Sequence, residues 1–100
     1  MPAYAALAEP HRRQILDLLR KGEQPVGTLV EQLGISQPGV SKHLRVLREA
    51  GLVRSRAHGK QRLYGLEAAP LAEVAAWLAP YRELWAGHLD ALERHLEENP

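Results

Sequence analysis

The chain has 100 residues, 45% hydrophobic and 25% charged, with no cysteine and a formal net charge of +1 at pH 7. That length supports a single domain, residues 1–100, small enough that a core shared with a second copy would add useful burial. The lack of cysteine excludes disulfides and thiolate metal sites, and no apolar run reaches the roughly 18 residues of a membrane span. No signal-peptide pattern opens the chain either, so the expected location is cytoplasmic and no membrane partner is expected.

Residues 2–8 are alanine-rich and helix-compatible, but a helix that short needs something to pack on. Pro10 fits the first position of a second helix, whose apolar residues Ile15, Leu16, Leu18 and Leu19 run up to Gly22. Arg12 and Arg13 fall in its first turn, where the helix dipole disfavours cations. The sequence reads them as solvated, with phosphate contact as the alternative. Pro25 opens a third helix with Val26, Leu29, Val30 and Leu33 at helical spacing, and Gly34 stops it.

Residues 34–49, GISQPGVSKHLRVLRE, then make a short turn and a fourth helix. Ser36 is a good N-cap, Pro38 sits in the first turn where its missing N–H is harmless, and Gly51 marks the stop. Val40, Leu44 and Leu47 form one narrow apolar stripe. Gln37, Ser41, Arg45 and Arg48 lie a quarter-turn or more away, with Lys42 further round. One face therefore docks on a core while the other offers an amide, a hydroxyl and cations, groups suited to base edges and phosphates in a major groove. Two helices joined by so short a turn form a helix-turn-helix unit.

After Gly51 the period changes. Residues 52–57 and 61–66 alternate as strands do, and His58, Gly59 and Lys60 form the loop between them. Arg54 and Arg56 share one strand face; Arg62, Tyr64 and Leu66 share a face of the other strand. A hairpin placed directly after a recognition helix reads as the wing of a winged helix. Residues 67–100 return to helix from Pro70, with Leu71, Val74, Trp77, Leu78, Tyr81, Leu84, Trp85, His88, Leu92 and Leu96 in a broad stripe. Pro80 interrupts the pattern, and a kink or break near residues 76–77 is expected. So much apolar surface on one terminal helix suits packing against its own copy across a two-fold axis.

The charge is unevenly placed. Residues 1–35 balance four Lys/Arg against four acids; residues 36–66 carry seven Lys/Arg against Glu49 alone; residues 67–100 carry two against seven acids. A basic middle and an acidic end suggest that one face meets a polyanion and another turns away from it.

In this order the elements resemble the ArsR/SmtB-type winged-helix repressors of bacteria and archaea. The resemblance rests on LAEPHRRQILDLL (7–19), LGISQPGVSKHLRVLREAGLV (33–53) and the hairpin RSRAHGKQRLYGL (54–66). It implies a mainly α, α+β fold: a winged helix-turn-helix with five or six helices and a two-stranded wing, dimeric through its terminal helices. Residues 1–66 would form the DNA-binding core and wing, and residues 67–100 the dimerisation helix. The implied function is a homodimeric repressor holding double-stranded DNA at an inverted repeat. Gln37, Ser41 and Lys42 match the family's base- and phosphate-contacting positions, whereas Pro38 and Gly39 stand where small polar residues are more usual. Arg56, His58, Lys60 and Arg62 match the wing. His43 lies toward the edge of the buried stripe, open to a packing role as well as to DNA contact. The expected DNA-binding set is thus Ser36, Gln37, Ser41, Lys42, His43, Arg45, Arg54, Arg56, His58, Lys60 and Arg62; the expected dimer interface is Leu7, Trp77, Tyr81, Leu84, Trp85, His88, Leu92 and Leu96.

Many members of that family sense metal or arsenic, and here the chain departs from the pattern. The third helix reads PVGTLVEQLG, without the cysteines of the thiolate site. The terminal-helix site pairs an Asp-x-His with a later His-x-x-Glu; here His88 precedes Asp90 in reverse order, followed by His95 and Glu98. His88 and His95 lie about 10.5 Å apart along one helix, so an ion could use both only between subunits, with Asp90, Glu97 or Glu98 added. No metal ligand set is assigned, no cofactor is expected, and the effector is left open. Two alternatives stand beside the leading reading: a metal-responsive repressor with that intersubunit site, and a winged helix used as a protein-interaction module, which would not need a basic wing. An enzyme is not expected, because Ser41 and His43 diverge on the helix and no phosphate loop or paired-acid constellation exists.

Overall fold

The computed structural model describes residues 2–98. In chain order these form α1 (Pro2–Leu7), α2 (Pro10–Leu19), β1 (Gln24–Pro25), α3 (Val26–Leu33), α4 (Gln37–Glu49), β2 (Val53–His58), β3 (Gln61–Leu66) and α5 (Ala69–Glu98). Five helices and a small antiparallel sheet make the expected mainly α winged helix-turn-helix.

Local chemistry explains most of the boundaries. Pro10 does begin α2, and the residue before it, Glu9, is the N-cap: its carboxylate accepts the Arg12 N–H at 3.0 Å. That places negative charge at the positive end of the helix. Arg12 and Arg13 are not the solvated cations the sequence suggests. Arg12 donates from Nε to the Ala6 carbonyl at 2.7 Å and from Nη2 to that of Ala5 at 3.2 Å, and Arg13 Nη1 donates to that of Leu7 at 2.7 Å. The carbonyls of the last turn of so short a helix have few backbone partners; that of Ala5 also accepts the Ala8 N–H at 3.2 Å. Two cations of α2 therefore cap α1.

Ser36 is the N-cap of α4, its Oγ accepting the Gly39 N–H at 3.2 Å. At the other end Gly51 takes φ 76°. The Leu52 N–H reaches the Leu47 carbonyl at 2.9 Å and the Gly51 N–H that of Arg48 at 3.0 Å, the paired bonds of a Schellman stop.

Pro25 does not open the third helix. It is the N-cap of α3 and, with Gln24, forms a strand absent from the sequence reading. β1 pairs antiparallel with β3 (Gln24↔Tyr64, Pro25↔Leu63), so the sheet has three strands in the order β1-β3-β2. A proline is tolerated there because β1 is an edge strand. The hairpin is also shifted: β2 runs one residue later than expected, His58 pairs with Gln61, and only Gly59 and Lys60 form the turn. Positive φ at Gly59 (63°), and at no non-glycine residue described, matches a type II′ two-residue turn.

The core is built from Ala3, Ala6, Ile15, Leu16, Leu19, Leu29, Val40, Leu44, Leu47, Leu52 and Val53, and no polar or charged residue is buried among the described residues. Val40, Leu44 and Leu47 seat α4 on this core as their spacing requires. α5 contributes no fully buried residue; only its first turns lean on the core, through Leu71 and Val74. Farther along, the Trp77 ring meets Tyr4 of α1 edge-on at 5.8 Å. Of the kink or break expected near residues 76–77, the break does not occur: α5 is one continuous helix through Pro80. Pro80 and Ala76, whose carbonyl loses its ladder partner, are both exposed, so water can satisfy that carbonyl. Thirty residues of helix span about 45 Å. The radius of gyration is accordingly 18.0 Å, against about 13 Å for a compact chain of this length.

Candidate nucleic-acid interface

Seating α4 by its apolar stripe leaves Ser36, Gln37, Ser41, Lys42, Arg45 and Arg48 exposed. The N-terminal half of this helix thus offers an amide, hydroxyls and a lysine to solvent, and its later turns add two guanidinium groups. Ser36 Oγ accepts the cap bond but keeps its O–H free to donate outward. These are short or forked donors on a convex rod, a shape that enters a major groove.

The wing is more constrained. Arg54, Arg56 and His58 alternate onto one face of β2, while Arg62 of β3 lies opposite Ala57 on the other. Arg54 Nη1 donates to the Leu66 carbonyl at 2.6 Å and pairs with Glu67 at 3.0 Å. Arg56 grips Glu23 with two nitrogens, Nε at 3.0 Å and Nη2 at 2.9 Å. That grip holds the Glu23 carboxyl below its usual value, against a smaller opposing effect of burial, and raises Arg56 further. Arg62 Nη1 donates to Ser55 Oγ at 3.1 Å. Lys60, at the turn, pairs with no acid among the described residues. Of the four wing residues carried over by resemblance, then, Arg56 is neutralised within the chain, Arg62 is tethered, and His58 and Lys60 stand exposed at the tip.

His43 is placed apart from the exposed row. Its ring turns inward against α2, only 18% exposed, with Nε2 3.8 Å from Glu9 and the ring stacked on His11 at 5.6 Å. Burial holds its pKa below the ordinary imidazole value, with Glu9 pulling the other way. Its Nδ1 is buried without a hydrogen-bond partner. Glu9 and His11 carry no role in the sequence reading; the signal available was an acid directly before a helix-opening proline.

On α5 the expected interface residues Trp77, Tyr81, Leu84, Trp85, Leu92 and Leu96 are 44–60% exposed, and Leu89, outside the expected set, is 65% exposed. His88 lies exposed on the same stretch, whereas Leu7 is half-buried and packs on the core. His88, Asp90, His95 and Glu98 are spread along this helix and form no ligand group within one protomer; among the described residues the group of that kind is Glu9, His11 and His43. No helix described is long and apolar enough to cross a membrane.

Residues 9–55, from the cap of α2 into the wing, match the family described as "Bacterial regulatory protein, arsR family". The transcriptional repressor SdpR of Bacillus subtilis is 33% identical over 75 residues, an overlap covering 75% of this chain and 83% of the relative. The chain belongs to the ArsR family. Among solved structures, the crystal structure of an ArsR family transcriptional regulator matches with a TM-score of 0.74 and 34% identity, covering 85% of this chain and 93% of that one. The solution structure of a homodimeric winged helix-turn-helix DNA-binding domain from Mycobacterium bovis, a possible ArsR-family regulator, matches with a TM-score of 0.64 and 31% identity, covering 89% and 80%. As an ArsR-family chain, it is a DNA-binding transcriptional regulator with a winged helix-turn-helix.

Proposed function

We propose that this ArsR-family protein is a homodimeric repressor. It occupies an inverted-repeat operator, with α4 of each protomer in successive major grooves and the wing tip against the backbone. The carrying observation is the division of α4: Val40, Leu44 and Leu47 are buried while Gln37, Ser41, Lys42 and Arg45 are exposed. Gln37 and Ser41 would read base edges; Lys42, Arg45 and Lys60 would meet phosphates. Arg54, Arg56 and Arg62 are secondary contacts, since each is already engaged within the chain. The exposed apolar face of α5 supports dimerisation: seven large side chains in one stripe leave a patch that soluble monomers rarely carry. The acidic α5 pair would then lie on the two-fold axis, away from DNA, and repression would follow from blocking a promoter that overlaps the operator.

Selection of the purified chain on random duplex DNA, in EDTA, tests the reading. Recovery of an inverted repeat is expected. No enrichment at low salt would refute it and favour a protein-interaction role.

A further inference from the structure

The geometry points to a divalent-cation site formed by Glu9, His11 and His43, joining the start of α2 to the inner side of α4. One ligand atom from each residue can be chosen such that all three lie within 4.8 Å of one another. Glu9 Oε1 is 3.0 Å from His11 Nδ1, and Oε2 is 3.8 Å from His43 Nε2. A tetrahedral ion with bonds of about 2.0–2.2 Å needs ligand atoms roughly 3.3 Å apart, so atoms within 4.8 Å of one another need close by about 1.5 Å at most. The exposed His11 can supply that movement, since its side chain is 41% exposed and sits in the first turn of α2. Two imidazoles and one carboxylate, with a fourth position open to water, suit zinc and its neighbours among the transition metals better than magnesium or calcium.

The arrangement has further support. α2 and α4 each contribute through backbone that the fold already fixes: Glu9 is the N-cap of α2, and His43 lies between the core residues Val40 and Leu44. The Arg12 guanidinium is engaged with the carbonyls of Ala5 and Ala6. An ion here would clamp α4 to α2 from behind, next to Lys42. The site is distinct from the histidines of α5, and its test does not involve DNA, so it stands or fails independently of the operator reading.

Titration of the metal-stripped full chain with Co²⁺, followed by visible d–d absorption, is the direct test. One equivalent per protomer is expected, in a band that Zn²⁺ displaces. His11→Ala should weaken binding at least tenfold while leaving the melting temperature in EDTA unchanged. The double variant His88→Ala/His95→Ala should bind like the wild type. No band in the wild type, equal affinity in His11→Ala, or a band lost only with the α5 histidines would each overturn the assignment.

Discussion

Trp85→Glu is the sharpest test of the α5 interface, because Trp85 serves little purpose in an isolated protomer. Trp77 would be a poorer choice: its ring packs on Tyr4 at 5.8 Å and Tyr81 at 5.0 Å, so replacing it would also disturb the monomer. Trp85 is 55% exposed, and an indole presents about 250 Å², which leaves about 140 Å² for a partner to cover. At about 25 cal/mol per Å² that is about 3.5 kcal/mol per protomer, or about 7 kcal/mol when both copies lose it. Even half that coverage corresponds to a dissociation constant weakened by more than two orders of magnitude. Burying the new carboxylate adds to the loss. Sedimentation velocity at micromolar concentration should show the wild type as a dimer and the variant as a folded monomer with nearly unchanged thermal stability. A variant that stays dimeric would refute the reasoning, as would a monomeric wild type.

Gln37→Ala should relax base preference with modest loss of affinity, measured by binding to a panel of single-base operator variants; unchanged preference would mean that the reading face of α4 is misplaced. Lys60→Ala should weaken binding to all sequences alike and flatten the salt slope by roughly one unit. Arg56→Ala should have a smaller effect, because Glu23 already offsets that charge; equal slopes for the two variants would contradict this. The same pair predicts a pH effect. Glu23 has a folded pKa lowered from 4.5, first by the Arg56 hydrogen bond. Its contribution is therefore complete above about pH 4.5 and fades as the pH falls through the lower folded value. Glu23→Gln should flatten stability against pH in that acid window, measured by urea unfolding, and an unchanged profile would exclude the pair as a source. Gly51→Ala should cost about 1–2 kcal/mol from backbone strain alone, since the added Cβ meets only Pro70 Cγ at an ordinary 3.6 Å; calorimetry measures it, and a neutral result would mean that the Schellman stop relaxes freely.

Short-range chemistry made much of this protein legible. The stripe of Val40, Leu44 and Leu47, the caps at Ser36 and Gly51 and the alternation around Gly59 depend on neighbours a few residues away, and the structure reproduces them with shifts of a residue or so. The exposed row of α4 followed directly, because burying one side of a helix fixes the other. The misses involve partners distant in sequence or local effects that packing or solvent outweighs. β1 is two residues long and exists only because Leu63 and Tyr64 pair with it across 38 to 40 positions. The same pairing delivers Glu23 to Arg56, a cation that from composition alone looks free for phosphate. Arg12 and Arg13 break the dipole rule locally because α1, folded back against α2, offers them carbonyls. Pro80 suggested a kink or a break; the break is absent because on an exposed stretch the freed carbonyl can turn to water and the helix continues. His43 was left between core and groove by helical count. Its inward turn toward Glu9 and His11 was decided by the packing of α2 on α4, since only the folded chain brings residues 9, 11 and 43 within reach of one another.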